Sequence, residues 1–375
     1  MNFSTALENR NFSSRTIVKR TMLPAEISVE SCLLLAELLT RSLSRQKKRI
    51  SAYAGGRIAY SVSFDNAPIF LSTLVQTQTD SLKYAFVNPY QKGLEMLLSY
   101  PESVLNTEEK TFAFAKEKVL FKAEQLATFS LEDEFLKRFS SREAFPQINE
   151  EKLKAMRLEE VQKALDALRK SVISDVIFLG PQQKENPLVS FAKTTSLPKV
   201  KVEIPEEDIL SKNLSKEGVA LVFSFQEEVK SESDFFLSLQ ALATIRANLI
   251  ERLHKVFGSP VRSNAYLLSP KNGVIILSVD VLKGALLASK LPLEEGFILN
   301  SLDEKSYQEG LLDIHDQNLS RLSDQRETVR QMLQFRDFEI EPGEFFFTGK
   351  DFSKVELKEA LKKIDFVKAL NAKLI

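Results

Sequence analysis

Residues 181–199 read "PQQKENPLVSFAKTTSLPK", with three prolines, many polar side chains and no apolar period. Proline fixes φ and removes a backbone donor, so this stretch suits neither a helix interior nor a central strand and is expected to be a linker. The strongest constraint on the fold is that a similar order of elements is predicted on both sides of it. With 375 residues there is enough chain for more than one core.

Ahead of the linker, "RTIVKR" (15–20) predicts a strand, and Ser28 or Glu30 opens a helix that runs to about Leu43. Gly55-Gly56 is a stop signal. "RIAYSVSF" (57–64) and "APIFLSTLVQT" (67–77) then form a hairpin. Helices are expected over 89–101, 107–129, 131–140 and 157–171, with an apolar strand, "VISDVIFLGP", closing the half. Beyond the linker come the strands "KVKVEI" (199–204) and "GVALVFSF" (218–225), then a helix over 231–257. The strands "NAYLLS" and "GVIILSVDVL" follow, then a helical region over 303–334 and a final helix over 351–375. The predicted class is α+β, with two homologous domains, each a mainly antiparallel sheet with helices packed on one face. The expected boundaries are 1–182, a linker over 183–198, and 199–375.

Composition narrows the function. Lys+Arg and Asp+Glu are 51 each, so the net charge is zero, and neither nucleic acid nor an anionic membrane is indicated as the main partner. The polar start "MNFSTALENRNFSSR" has no apolar core of signal-peptide length, and no apolar run reaches a membrane span. A single cysteine, Cys32, allows no internal disulfide, and a cytoplasmic location is expected. Only two histidines exist, His254 and His315, and no CxxC, Walker A loop or GxGxxG is present. Both histidines read as solvated or structural, with an unrelated catalytic role for either one as the alternative.

One residue stands out against this background. "CLLLAELLTRSLS" (32–44) is an apolar run broken by Glu37, although an unpaired buried carboxylate is costly. Glu37 is either a boundary residue facing solvent or a lysine, or the remnant of a functional site.

The element order, together with "FAFAKEKVLFKAEQL", "LRKSVISDVIFLGP" and "FGSPVRSNAYLLSPKNGVIILSV", resembles the M16 family of pitrilysin, insulinase and mitochondrial processing peptidase. The resemblance covers nearly the whole chain and implies an M16/LuxS-like metallopeptidase half. Active members of the family carry His-x-x-Glu-His on the first helix, two histidines holding zinc while the glutamate activates water. Aligned on that motif, Leu34 and Leu38 take the histidine positions and Glu37 that of the general base. Glu117 and Glu124, seven apart on a later helix, match the supporting and ligand glutamates. The resemblance also assigns Arg262 and Tyr266, in "VRSNAYLLS", to substrate-backbone binding in trans, although their spacing is shorter than the family's. The alternative for that pair is a surface ion pair and a packed sheet tyrosine.

These residues imply a catalytically inactive peptidase homologue with no cofactor of its own. Its expected partner is a bacterial M16 subunit bearing an intact His-x-x-Glu-His and the zinc. The expected role is peptide processing, such as maturation of a ribosomally made peptide or bacteriocin, or a step associated with elongation factor P modification. A homodimeric peptide-binding or scaffold protein is the alternative. The basic run "RSLSRQKKR" (41–49) reads as a solvated helix end, or as an attractor for an acidic leader peptide.

Overall fold

In a computed structural model of the chain, the described residues are 14–22, 27–28, 30–41, 57–65, 70–78, 108–125, 131–139, 149–170, 173–179, 202–211, 214, 216–257, 261–279, 291–323, 331, 334–335, 338–340 and 351–374. The expected helix over 89–101 and the linker lie outside them. The chain divides into two compact units, Met1–Leu126 with Phe145–Pro198, and Ala127–Ala144 with Lys199–Ile375.

The first unit holds a four-stranded antiparallel sheet of order β2-β3-β1-β4, made from β1 (Ser14–Met22), β2 (Arg57–Asp65), β3 (Phe70–Gln78) and β4 (Ile173–Leu179). The expected hairpin is present, Arg57 pairing with Gln78 and Asp65 with Phe70. Helix α1 (30–41) starts where Ser28 Oγ accepts from Ser31 N at 3.2 Å, the side-chain capping that serine favours. Cys32, Leu34, Leu35, Leu38 and Leu39 are all 0–2% exposed, so α1 is apolar nearly all round and is buried accordingly. Its core partners are Ala115 and Val119 on α2 (Glu109–Gln125), Leu153 on α4 (Glu150–Ala155) and Val161, Ala164 and Leu165 on α5 (Leu158–Lys170). Each buried leucine contributes about 1.5–3 kcal/mol relative to exposure, so packing rather than helix propensity holds α1 in place.

The second unit holds a mixed sheet of order β5-β9-β6-β8-β7, in which only β5 and β9 run parallel. Its strands are β5 (Ile209–Ser211), β6 (Gly218–Phe225), β7 (Val261–Ser269), β8 (Asn272–Val279) and β9 (Ile364–Leu374). Central β6 is apolar and buried from Val219 to Phe223 because both its faces are covered, the pattern expected of a doubly buried strand. On one face Ala220, Val222, Val274, Ile276, Leu370 and Ala372 pack under Leu131, Phe135 and Phe139 of α3 (Leu131–Phe139). The long α6 (Glu232–Phe257) lies against β7 and β8 and packs along α8 (Glu304–Ser323). Phe223 and Phe366 meet Phe297 of the short α7 (Phe297–Asn300) at centroid separations of 6.4 and 5.6 Å.

Three expectations change. The segment 127–144, predicted within the first domain, clusters with the second unit, and its α3 covers the sheet face opposite the long helices. "KVKVEI" is no strand over its described residues beyond a bridge at Val202; the strand is β5, five residues on. The final helix ends early: α9 (Lys354–Leu361), with a Ser353/Glu356 capping box, gives way to β9. The reason is a bulge. Val222 pairs with Lys368 but Phe223 with Phe366, so one extra residue switches β9 from one sheet face to the other. Ile364 and Phe366 therefore lie on the face of Phe223, whereas Leu370 and Ala372 lie on that of Val222, and the two offset alternations together imitate a helical period.

Candidate functional site around Glu37

Glu37 is 4% exposed on the last turns of α1, and it faces a lysine. Lys118 Nζ on α2 donates to Glu37 Oε1 at 2.6 Å, and Arg41 Nε, one turn along α1, lies 3.6 Å from the same oxygen. The Arg41 guanidinium also lies over the Phe114 ring, 3.5 Å from its centroid. The buried carboxylate is thus compensated by two cations, the condition under which a charge is tolerated in a core. The Lys118 side chain stays 41% exposed, so the pair sits at the margin of the core, within reach of water.

Leu34 and Leu38 are core residues, 0% and 2% exposed, packed in the cluster formed by α1, α2, α4 and α5. Glu117 is exposed on α2, so the helix turns its neighbour Lys118, not Glu117, towards Glu37. Glu124 belongs to α2, but its side chain lies outside the described residues. Among the described residues no group of three or more His, Cys, Asp or Glu side chains is placed to hold a metal ion. Arg41, read from the sequence only as the start of a basic run, has the i+4 spacing that could have paired it with Glu37; Lys118, 81 residues away, gave no local signal.

In the second unit Arg262 and Tyr266 lie on edge strand β7, opposite Ser278 and Val274 respectively. Four residues apart on a strand, they share a face and are separated by about 13 Å. Arg262 is exposed, while Tyr266 is half-buried against the core beneath α3. Between them Asn264 Nδ2 donates to Glu132 Oε1 of α3 at 3.3 Å. Of the basic run 41–49 only Arg41 is described.

The histidines are apart. His254 is exposed in the last turn of α6, and His315 Nε2 on α8 sits 2.8 Å from Asp351 Oδ1, both side chains about half exposed. No described helix is long and apolar enough to cross a membrane.

No family model matches the chain, and no curated protein matches it in sequence. Solved structures do. A conserved protein from Enterococcus faecalis V583 aligns with TM-score 0.65 at 12% identity, over 99% of this chain and 96% of its own. Pitrilysin aligns with TM-score 0.62 at 13% identity, over 99% of this chain and 41% of its own. The ferredoxin protease FusC, solved with Arabidopsis ferredoxin, aligns with TM-score 0.60 at 10% identity, over 99% of this chain and 43% of its own. The chain thus spans less than half the length of these two M16 peptidases. At such identities the likeness is one of fold, and the fold of this chain is that of the M16 peptidases.

Proposed function

We propose that the chain is a non-catalytic M16-like subunit, paired with a separate M16 peptidase that carries an intact His-x-x-Glu-His and the zinc. One observation carries this reading. Where the alignment places the two histidines, Leu34 and Leu38 are buried core residues without donor atoms, and the intervening Glu37 is engaged by Lys118 and Arg41. Those residues do not fit zinc, which takes nitrogen, sulfur or carboxylate oxygen ligands and, for catalysis, an open position.

Both peptidases named above contain more than a second length of chain beyond the part matched here. A partner subunit would supply that missing part. This chain then contributes one wall of a peptide-processing chamber, with Arg262 and Tyr266 as candidate contacts to substrate backbone. The exposed guanidinium of Arg262 is suited to carbonyl or carboxylate recognition. Tyr266 is half-buried against the core beneath α3, so Arg262 is the more accessible of the two.

The test is native capture of the chain from its own cells, with co-purifying proteins identified by mass spectrometry. A near-stoichiometric protein bearing His-x-x-Glu-His supports the pairing. Recovery of the chain alone as a homodimer overturns it in favour of a peptide-binding or scaffold protein. In the reconstituted pair, Arg262→Ala is expected to raise KM for the peptide while leaving the zinc content of the partner unchanged.

A further inference from the structure

The Glu37 cluster supports a second conclusion. It rests on the alignment of Glu37 with the family's water-activating glutamate, but not on the existence of a partner. We infer that Lys118 serves this fold as an internal cation in place of a metal ion: the Lys118–Glu37 pair, backed by Arg41, locks α2 to α1 and keeps metal from the carboxylate.

The geometry is specific. Glu37 sits among leucines at 4% exposure, where an uncompensated charge would be strongly destabilising. Its compensation comes from two elements, Lys118 on α2 at 2.6 Å and Arg41 on α1 itself at 3.6 Å, converging on Oε1. A metal ion approaching that oxygen would meet an ammonium and a guanidinium, and would find Leu34 and Leu38 where further ligands are needed. The Arg41 guanidinium also lies over the Phe114 ring, a second contact that favours this position. Lys118 follows Glu117 directly, so the choice of which side chain enters the site is a matter of helix phase: lysine turns in and glutamate turns out.

Two measurements on the purified, metal-stripped chain decide the matter. First, the chain is loaded with Zn2+, desalted, and its metal content and melting temperature are determined alongside Glu37→Gln. The expected result is no zinc that depends on Glu37 and no zinc-induced rise in melting temperature. One zinc per chain, lost in Glu37→Gln, overturns the inference. Second, Lys118→Met and Glu37→Gln are combined in a double-mutant cycle. Lys118→Met alone is expected to lower the melting temperature markedly, and the double variant to recover part of the loss, since the orphaned charge is then gone. Strictly additive losses overturn the pairing. If Lys118→Met does not fold, refolding in the double variant still reports the coupling, and the zinc measurement needs only the unmodified chain and Glu37→Gln. Failure here leaves the proposed pairing to be judged by co-purification.

Discussion

At the scale of single residues, burial decides the chemistry of the first helix. Cys32 is wholly buried, and desolvation, aided by the nearby Glu30 charge, pushes its thiol up to about 12. Thiolate is the reactive form, so the native chain is expected to resist alkylation at neutral pH and to react only after denaturation. Mass spectrometry of iodoacetamide-treated protein, with and without urea, checks this; rapid native labelling would contradict the packing of α1. Glu30 behaves oppositely. Burial raises its carboxyl, but the backbone N–H groups of Glu30 and Asn149, together with Lys152, outweigh that and hold it below the ordinary 4.5. A depressed carboxylate stabilises the fold above its unfolded value, and that contribution fades as pH falls below 4.5 through the folded value. Glu30→Gln is therefore expected to destabilise by about 1–3 kcal/mol at pH 7, with the gap narrowing in acid; urea titrations across pH measure it. Glu37 shows what a sequence yields at this scale. Its anomaly was visible as a carboxylate in a leucine run, whereas Arg41, one turn on, was read only as part of a basic run. The answering Lys118 was not, because its position depends on how α2 packs rather than on any local spacing.

Among elements, the crossing of α6 and α8 is closely specified. A Cβ built on Gly310 would lie 2.5 Å from Thr244 Oγ1 and 3.0 Å from the Thr244 backbone nitrogen, so the helices meet where one of them has no side chain. On either side of that point Arg246 pairs with Asp313 at 2.9 Å, and Asn248 Nδ2 donates to Asp303 Oδ2 at 2.8 Å. Gly310→Ala would improve the intrinsic propensity of α8 yet force the helices apart. The net effect expected is a loss of about 1–3 kcal/mol, read as a fall in the thermal midpoint. A rise would mean that the helices slide freely. β2, β3 and α5 were legible because the sequence of each kept one period, and in α5 the apolar positions Val161, Ala164 and Leu165 are the buried ones. β9 was not, since its bulge splices two alternations, and β5 was too short to leave a pattern.

For the whole molecule, the chain passes between its two units three times: after residue 126, after residue 144 and after residue 198. Only the last passage was readable, because it alone is marked by prolines. The excursion of 127–144 left a clear helical signal in "LEDEFLKRF", but amphipathicity tells that a helix packs and not on what. Its destination matters for any attempt to divide the protein. α3 brings Leu131, Phe135 and Phe139, each no more than 1% exposed, onto Ala220, Val222, Val274, Ile276 and Leu370, and Glu203 N donates to Phe139 O at 3.0 Å. Gly218 admits this packing, since a Cβ there would overlap Leu131 and the Leu277 carbonyl. A fragment 199–375, cut where the linker suggests, would expose this apolar sheet face to water. Exposed patches of that kind drive association. The fragment is expected to aggregate or to bind a hydrophobic dye strongly, whereas residues 127–144 joined to it through a flexible linker are expected to restore a monomer with a cooperative melt. Size-exclusion chromatography and thermal unfolding of the two fragments separate the cases. A monomeric, cooperatively folding 199–375 would show that the sheet closes without α3, and the second unit would then be the linker-bounded domain that the sequence suggests.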